Sequence, residues 1–252
     1  MHRYLDEIAR SSALLVQRAE RAGWEASVPT CPDWSVADLV AHQGMVHRWA
    51  RANLLAEDAP FVRESEVLAA VGLHALASWF REGVAFLVET LRSVDPEVQA
   101  MVFLADAGPP REFWARRQAF ETTIHAVDAL SAELGRIPTA DEAGLDRDLA
   151  LDGIDELLCG FVPRDRSRLR SDESYTLAVR PDDSDRGWRL SVSVEPVVTE
   201  RVRDAADSTD ATIAGSAAQL LLGLWNRGDE LAVGGRPGVL DAWRALQRVR
   251  WG

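Results

Sequence analysis

Two segments of this sequence carry side chains that could hold a metal ion. The segment FETTIHAVDA places Glu121, His125 and Asp128 at positions i, i+4 and i+7. At about 100° per residue these positions fall within roughly 60° of one another, so the three side chains share one helical face. A carboxylate and an imidazole one turn apart can bind the same ion, as facing Glu and His residues do in metal-binding bundles. Glu121 and His125 are therefore a candidate ligand pair.

A third candidate ligand, His42, comes from an earlier helix. Apolar side chains lie three residues before it and three, four and seven residues after it, at Leu39, Met45, Val46 and Trp49. This spacing marks the buried stripe of a helix, so His42 is expected to point into the protein. His47 lies about 140° around the helix from His42 and is expected to point elsewhere.

His42, Glu121 and His125 would together offer two neutral imidazoles and one carboxylate. Three protein ligands leave at least one position open for water or substrate, which is typical of a catalytic rather than a structural zinc site. Simpler interpretations exist for each residue. His42 could be a hydrogen-bonded core histidine, Glu121 and His125 a solvated pair, and Asp128 a surface charge. The spacing alone leaves these alternatives open.

The first part of the chain predicts a bundle of helices. A capping-box pattern, Ser35 with Asp38, marks the start of the helix that carries His42. The hydrophobic periodicity predicts four helices with no strand between them, at about 3–22, 35–56, 65–93 and 112–134. Four such helices favour a four-helix bundle.

The remaining part predicts a small α+β domain. It contains a helical pattern at 148–161, alternating strands at 174–180 and 188–196, shorter strands at 197–203 and 210–215, and helices at 216–227 and 238–249. Proline, glycine and charged residues cluster between the two parts. We therefore expect an α+β protein of two domains, 1–143 and 144–252.

Composition excludes several classes of function. The net charge of −12 argues against non-specific nucleic-acid binding and against an anionic membrane surface. No run approaches the roughly 18 apolar residues of a membrane-spanning helix, and the charged N-terminus does not resemble a signal peptide. The two cysteines, Cys31 and Cys159, are far apart and form no disulfide framework. These features predict a cytoplasmic protein; its oligomeric state stays open.

Four segments together resemble one family of known proteins, the mycothiol-dependent maleylpyruvate isomerases. These segments are CPDWSVADLVAHQGMVHRWA (31–50), WARRQAFETTIHAVDAL (114–130), DGIDELLCGFVPR (152–164) and ATIAGSAAQLLLGLWNR (211–227). They occur in the family's order and extend over almost the whole chain. The resemblance implies a metal-binding four-helix bundle of the DinB type followed by an α+β domain.

The resemblance also implies roles for particular residues. The family's metal ligands, one His on the second helix and an E-x-x-x-H on the fourth, fall on His42, Glu121 and His125. Asp128 matches a recurrent acid that would act beside the metal. Arg227 matches a basic active-site position that would contact the thiol cofactor or the substrate. These matches imply a divalent metal, zinc being the expected ion, and mycothiol as cofactor.

The implied reaction is the addition of a metal-activated thiol to a small electrophile, such as an unsaturated carboxylate. The outcome would be cis–trans isomerisation or S-transfer, and the sequence does not choose between them. Phe120 and Ala126 stand where the resemblance leads us to expect polar or basic residues, so the substrate is left open. Two alternatives remain: a metal-dependent hydrolase that uses bound water, and a non-catalytic metal-binding regulatory or scaffold protein. Mycothiol itself points to an actinobacterial setting.

Overall fold

The computed structural model describes residues 1–58, 61–203 and 208–247. The chain divides into two compact units, each described here by itself. The first comprises Met1–Phe103 and Ala107–Pro138, and the second comprises Leu104–Asp106 and Thr139–Gly252. The domain boundary expected after residue 143 stays a prediction.

The first unit is the expected helical bundle. Its helices are α1 (His2–Ala22), α2 (Val36–Leu55), α3 (Glu64–Val71), α4 (Leu73–Ser93) and α5 (Pro110–Leu134). The four long helices α1, α2, α4 and α5 form the bundle, in which α1 packs along α5 and α2 packs against α4 and α5. The helical bundle expected from the sequence is therefore confirmed, and the sheet of the second unit, described below, gives the chain the expected mixed α+β class.

Local sequence explains where these helices start and what they bury. The Ser35 side chain accepts a hydrogen bond from the Asp38 amide, and the Asp38 side chain accepts one from the Ser35 amide, so the expected capping box begins α2. In α1 the predicted inward face is buried at Leu5, Ile8, Ser12, Leu15 and Ala19. Burial of this stripe is what attaches α1 to the bundle.

Two features of the first unit differ from the sequence-based expectation. The helix expected over 65–93 is wrong as one piece, because it is broken into α3 and α4 at Gly72, where φ is 73°. Glycine adopts this left-handed backbone without a steric penalty, and hydrophobic periodicity does not reveal it. The stretch between the first two helices, where no strand was expected, contains a two-stranded antiparallel ribbon, β1 (Ser27–Val28) with β2 (Cys31–Ser35). Both differences place residues beside the candidate ligands.

The second unit is built on a five-stranded sheet. Its elements in chain order are α6 (Ala140–Ala143), α7 (Arg147–Asp155), a π-helical segment (Glu156–Phe161), β3 (Tyr175–Pro181), β4 (Arg186–Val192), β5 (Val198–Arg203), β6 (Ala211–Gly215), α8 (Ala217–Leu224), β7 (Ala232–Gly235) and α9 (Val239–Leu246). The strand order is β5-β4-β3-β6-β7, and only the β3–β6 pair is parallel.

Most elements of this unit were expected, but α6, β7 and the π-helical turn were not. The edge strand β7 was missed, because AVGG is short and fully exposed. The helix expected over 148–161 changes to π-helical hydrogen bonding after α7, a shift that periodicity does not show. The end of the helix expected over 238–249 lies outside the described residues. Among the described residues, no helix has the length and apolar character needed to cross a membrane.

Candidate metal centre

The bundle brings His42, Glu121 and His125 together. His42 extends from the middle of α2, while Glu121 and His125 lie one turn apart on α5, and all three are buried. One potential ligand atom from each lies within 4.8 Å of the others. Glu121 Oε1 is 3.9 Å from His42 Nε2 and 3.4 Å from His125 Nε2. We call these three residues the His–Glu–His cluster.

A carboxylate holds the outer nitrogen of each imidazole. His42 Nδ1 lies 2.8 Å from Glu64 Oε1, and His125 Nδ1 lies 2.9 Å from Asp128 Oδ2. When Nδ1–H donates to the carboxylate, Nε2 of the neutral ring carries the lone pair. Both lone pairs then face the side where Glu121 Oε1 lies. This carboxylate–histidine arrangement is the usual support of metal-ligating histidines.

A buried guanidinium holds the other oxygen of the glutamate. Arg117, one turn before Glu121 on α5, is fully buried and donates from Nη2 to Glu121 Oε2. This contact leaves Oε1 directed to the histidines. The three carboxylates of Glu64, Glu121 and Asp128 with this one guanidinium carry a formal charge of −2, as counted from these contacts. A divalent cation would neutralise that charge.

The same electrostatics shifts two pKa values in the cluster. Burial lowers the pKa of His125, but hydrogen bonds to Asp128 and Glu121 outweigh burial and raise it to about 9. Burial raises the pKa of Glu121, but the charge of Arg117 and hydrogen bonds from His125 and His42 hold it well below its usual range. Without a metal, a proton on His125 therefore supplies positive charge at neutral pH.

Glu64 was not among the residues expected from the sequence. It is the first residue of α3, and its hydrogen bond with His42 is the main cause that lowers its pKa. Sequence reasoning missed it because the break at Gly72, which sets where α3 lies, was not expected. Arg117 was also missed, although its position four residues before Glu121 was a readable signal.

Aromatic rings lie against both candidate imidazoles. The centroid of the half-buried Trp34 ring, at the end of β2, is 4.7 Å from that of His42 and 5.8 Å from that of His125. The more exposed Phe61 ring lies 6.5 Å from His42. The ring of Trp49, which belongs to the apolar stripe around His42, packs edge-on against Trp114 instead, with ring centroids 5.1 Å apart.

Asp128 links His125 to the ribbon. Its side chain is fully buried, which excludes the surface-charge interpretation. Thr30 donates to Asp128 Oδ1 at 2.6 Å, and the Cys31 thiol lies 3.5 Å from Oδ2. The loop between β1 and β2 thus fixes the carboxylate that orients His125.

His47 belongs to a separate buried group. Its Nε2 lies 2.8 Å from the Gln43 amide nitrogen and 2.9 Å from Thr122 Oγ1. Burial, helped by the charge of Arg48, lowers the pKa of His47 to about 3, so the ring is neutral. His47 therefore points away from His42, as expected, and lies buried in the core between the helices.

Phe120 and Ala126, the two residues that differ from the family resemblance, face α1. Phe120 is buried and meets the Tyr4 ring edge-on, with ring centroids 6.1 Å apart. The carbonyl of the buried Ala126 accepts a hydrogen bond from Arg18 at 2.8 Å. Phe120 is therefore part of the α1–α5 packing.

Arg227 lies in the second unit, just after α8. The chain turns at Asn226, where φ is 60°, and the Arg227 guanidinium donates to the carbonyl of Trp225 at 2.9 Å. Its role toward a thiol or substrate stays a prediction.

The donor set suits a divalent cation of intermediate softness. Two imidazole nitrogens and one carboxylate oxygen match the ligands of catalytic zinc sites, and both imidazoles have the hydrogen-bonded carboxylates that such ligands normally need. The negative charge around them adds to the match. On chemistry and charge, the residues present fit a metal.

Comparison with known proteins found similarity over both units. A family model described as the mycothiol maleylpyruvate isomerase N-terminal domain matches residues 5–130, and one described as the MDMPI C-terminal domain matches residues 148–242. A crystal structure of the mycothiol-dependent maleylpyruvate isomerase is 16% identical, with 92% of each chain covered and a TM-score of 0.61. A histidine-to-alanine mutant of that enzyme is 15% identical, with the same coverage and TM-score. At such identities these structures show a shared fold. No match was found among curated proteins.

Proposed function

The chain belongs to the mycothiol-dependent maleylpyruvate isomerase family, and from this membership we propose that it is a metal- and thiol-dependent enzyme. It acts on a small electrophile, such as an unsaturated carboxylate. His42, Glu121 and His125 hold the divalent metal, for which zinc is our first choice. Mycothiol is the thiol that the family name indicates.

One observation carries this proposal: the paired support of the two histidines. Each candidate imidazole has its Nδ1 on a carboxylate, and each Nε2 lies within 4 Å of the same Glu121 oxygen. A histidine that only fills a core needs neither a carboxylate on Nδ1 nor a second histidine whose Nε2 is directed at the same oxygen. Three protein ligands also leave coordination positions for an external ligand, which a catalytic site requires.

The chemistry is nucleophilic addition by a thiolate. A bound divalent metal would supply a deprotonated thiol at neutral pH. The sulfur adds to one carbon of an electron-poor double bond, and the electron pair moves onto the conjugated carbonyl. Rotation about the resulting single bond, followed by loss of the thiolate, returns the double bond in the other geometry. If the thiolate is not lost and the enolate takes up a proton from water instead, the product is a thioether.

The chain's own residues would orient the reaction. Glu64 and Asp128 fix the rings of His42 and His125. Arg227 is our candidate for holding a carboxylate of the substrate or an acidic group of the thiol, because guanidinium binds carboxylate in a bidentate way. An arginine after a helix could equally serve only the helix dipole, and the experiment below separates the two roles.

Calorimetric titration of mycothiol into the zinc-loaded protein tests the proposal. Wild-type protein should bind the thiol, and Arg227→Ala should keep the fold and the metal but bind it about 10- to 150-fold more weakly, as expected for a lost charge-assisted contact of about 1.5–3 kcal/mol. Arg147→Ala is the matched control, because Arg147 is exposed and forms an ion pair with its neighbour Asp148. Equal affinities for all three proteins would remove Arg227 from the site.

Conversion of maleylpyruvate, followed by proton NMR, then separates the reaction classes. Isomerisation that needs both zinc and mycothiol supports the proposal in full. A stable thioether would identify S-transfer. Binding of zinc without binding of mycothiol would favour the hydrolase or the scaffold alternative.

A further inference from the structure

We infer that Glu64 is a positioning residue for His42 and that, through it, the placement of helix α3 depends on the bound metal. This inference rests on the proposed function, because it assumes a metal in the His–Glu–His cluster. Nothing in the family comparison assigns a role to this residue.

The contact has a counterpart on the other imidazole. Glu64 Oε1 lies 2.8 Å from Nδ1 of His42, and Asp128 Oδ2 lies 2.9 Å from Nδ1 of His125. Asp128 is anchored in the long helix α5 and is fully buried. Glu64, in contrast, lies at the first position of a short helix, and its side chain is 23% exposed. The two carboxylates therefore make the same kind of hydrogen bond to a histidine, one from a long, buried helix and the other from the start of a short, less buried helix.

Helix α3 has little apolar packing of its own. Among its eight residues, only Val67 is buried. The segment just before it brings the Phe61 ring within 6.5 Å of the His42 ring, and Phe61 is 41% exposed. Because so little apolar surface holds α3, the charged contact at Glu64 is a large part of its attachment. A cation on His42 Nε2 fixes the tautomer with Nδ1–H, which is the form that donates to Glu64.

A simpler explanation for Glu64 exists and can be separated. Acidic residues favour the first turn of any helix because of the helix dipole. Glu66 occupies the same turn of α3, and it pairs with Arg63 at 2.6 Å on the exposed surface. If the helix dipole were the whole reason for an acidic residue at position 64, substitutions of Glu64 and of Glu66 would have the same effect on zinc affinity. Glu66 is therefore a matched control within the same helix.

The experiment compares wild type, Glu64→Gln, Glu64→Ala and Glu66→Gln in the full chain. Zinc affinity is measured by competition with a chromophoric chelator. Hydrogen exchange over residues 61–71 is measured with and without zinc. We expect Glu64→Ala to weaken zinc binding about 10- to 100-fold, with Glu64→Gln between it and wild type. Zinc should slow exchange across α3 in wild type and Glu66→Gln, and much less in either Glu64 variant.

The outcomes distinguish this inference from the proposed function. If both Glu64 variants bind zinc with wild-type affinity and keep the zinc-dependent protection of α3, the inference is overturned while the metal site stands. Equal weakening by Glu66→Gln would also overturn it, in favour of the dipole explanation. A wild-type protein that takes up no zinc overturns both. Circular dichroism melts of the variants show whether each fold is intact.

Discussion

Two clusters of charged groups, one in each unit, show what makes carboxylates into a cation site. In the first unit, the His–Glu–His cluster and its two supporting carboxylates have one buried guanidinium, Arg117, which donates to one oxygen of Glu121. In the second unit, Arg201 Nε and Nη2 pair with the two oxygens of Asp155 at 2.6 and 2.8 Å, and Nη2 also contacts Asp106.

The two clusters differ in whether the negative charge of their carboxylates is already balanced by neighbouring donors. The Trp188 indole N–H also donates to Asp155, at 3.0 Å, so that carboxylate is surrounded by donors. Burial, together with the charge of Asp155, raises the pKa of the neighbouring Cys159 thiol to about 12, which leaves it protonated and unreactive. The first cluster instead offsets only part of its negative charge, with a proton on His125, and a proton can be exchanged for a metal ion. Carboxylates that lie close together are therefore not enough to make a cation site, because their oxygen lone pairs must also be available to the cation.

The largest predicted effect is the loss of metal when a ligand is removed. His42→Ala, Glu121→Ala and His125→Ala should each weaken zinc binding by more than the roughly 10- to 100-fold expected for losing a supporting partner, because three ligands leave no redundancy. Metal content after dialysis, measured by atomic emission, checks this. His47→Ala is the control: it should keep the metal while losing about 1–3 kcal/mol of stability, because it removes one of the buried hydrogen-bond partners of Gln43 and of Thr122. Full metal content in all three ligand variants would contradict the assignment.

The next effect concerns Asp128. Asp128→Asn keeps the size of the side chain but removes the charge that orients His125, so zinc affinity should fall about 10- to 100-fold. Competition with a chelator measures the affinity. Glu133→Gln, on the same helix and paired with Arg21 at 3.2 Å, should leave the affinity unchanged. Unchanged affinity in Asp128→Asn would leave this carboxylate only its structural contacts with the ribbon.

The third prediction concerns pH. Zinc must displace the proton from His125, whose pKa is raised to about 9 in the metal-free protein. Between pH 7 and 9, zinc affinity should therefore rise about tenfold per pH unit as one proton is released for each ion bound, and then level off.

The free energy of unfolding of the metal-free protein should depend on pH in the opposite direction. The metal-free protein keeps the full contribution of protonated His125 below the ordinary pKa of 6.5, and loses it as the pH rises through about 9. Zinc titrations and chemical denaturation at several pH values measure both, and a pH-independent affinity would contradict the prediction.

The smallest effect belongs to the second cluster. Arg201 is about half exposed, so its ion pairs are screened by water. Arg201→Gln should lower the free energy of unfolding by about 1 kcal/mol or less and leave zinc affinity unchanged. Denaturant melts and metal content are the measurements. If this variant acquired a second bound zinc, the carboxylates of Asp106 and Asp155 would be a cation site held closed by Arg201, which would sharpen the comparison.

The parts of the centre that the sequence predicted are those set by a single helix. Glu121, His125 and Asp128 share a face because helical geometry fixes their spacing, and the apolar stripe around His42 fixed its inward direction. Glu64 and Trp34 could not be predicted in this way. Their positions depend on the backbone at Gly72 and on the ribbon between α1 and α2, and neither leaves a periodic pattern. The same reason explains the missed strand β7 and the π-helical end of α7.

The central claim is that the His–Glu–His cluster holds one divalent metal ion. The most direct measurement is the metal content of the purified wild-type chain, before and after incubation with zinc and removal of unbound ion. The account predicts close to one ion per chain, lost in His125→Ala and kept in His47→Ala. A wild-type protein that contains no metal and takes up none when zinc is offered would contradict it.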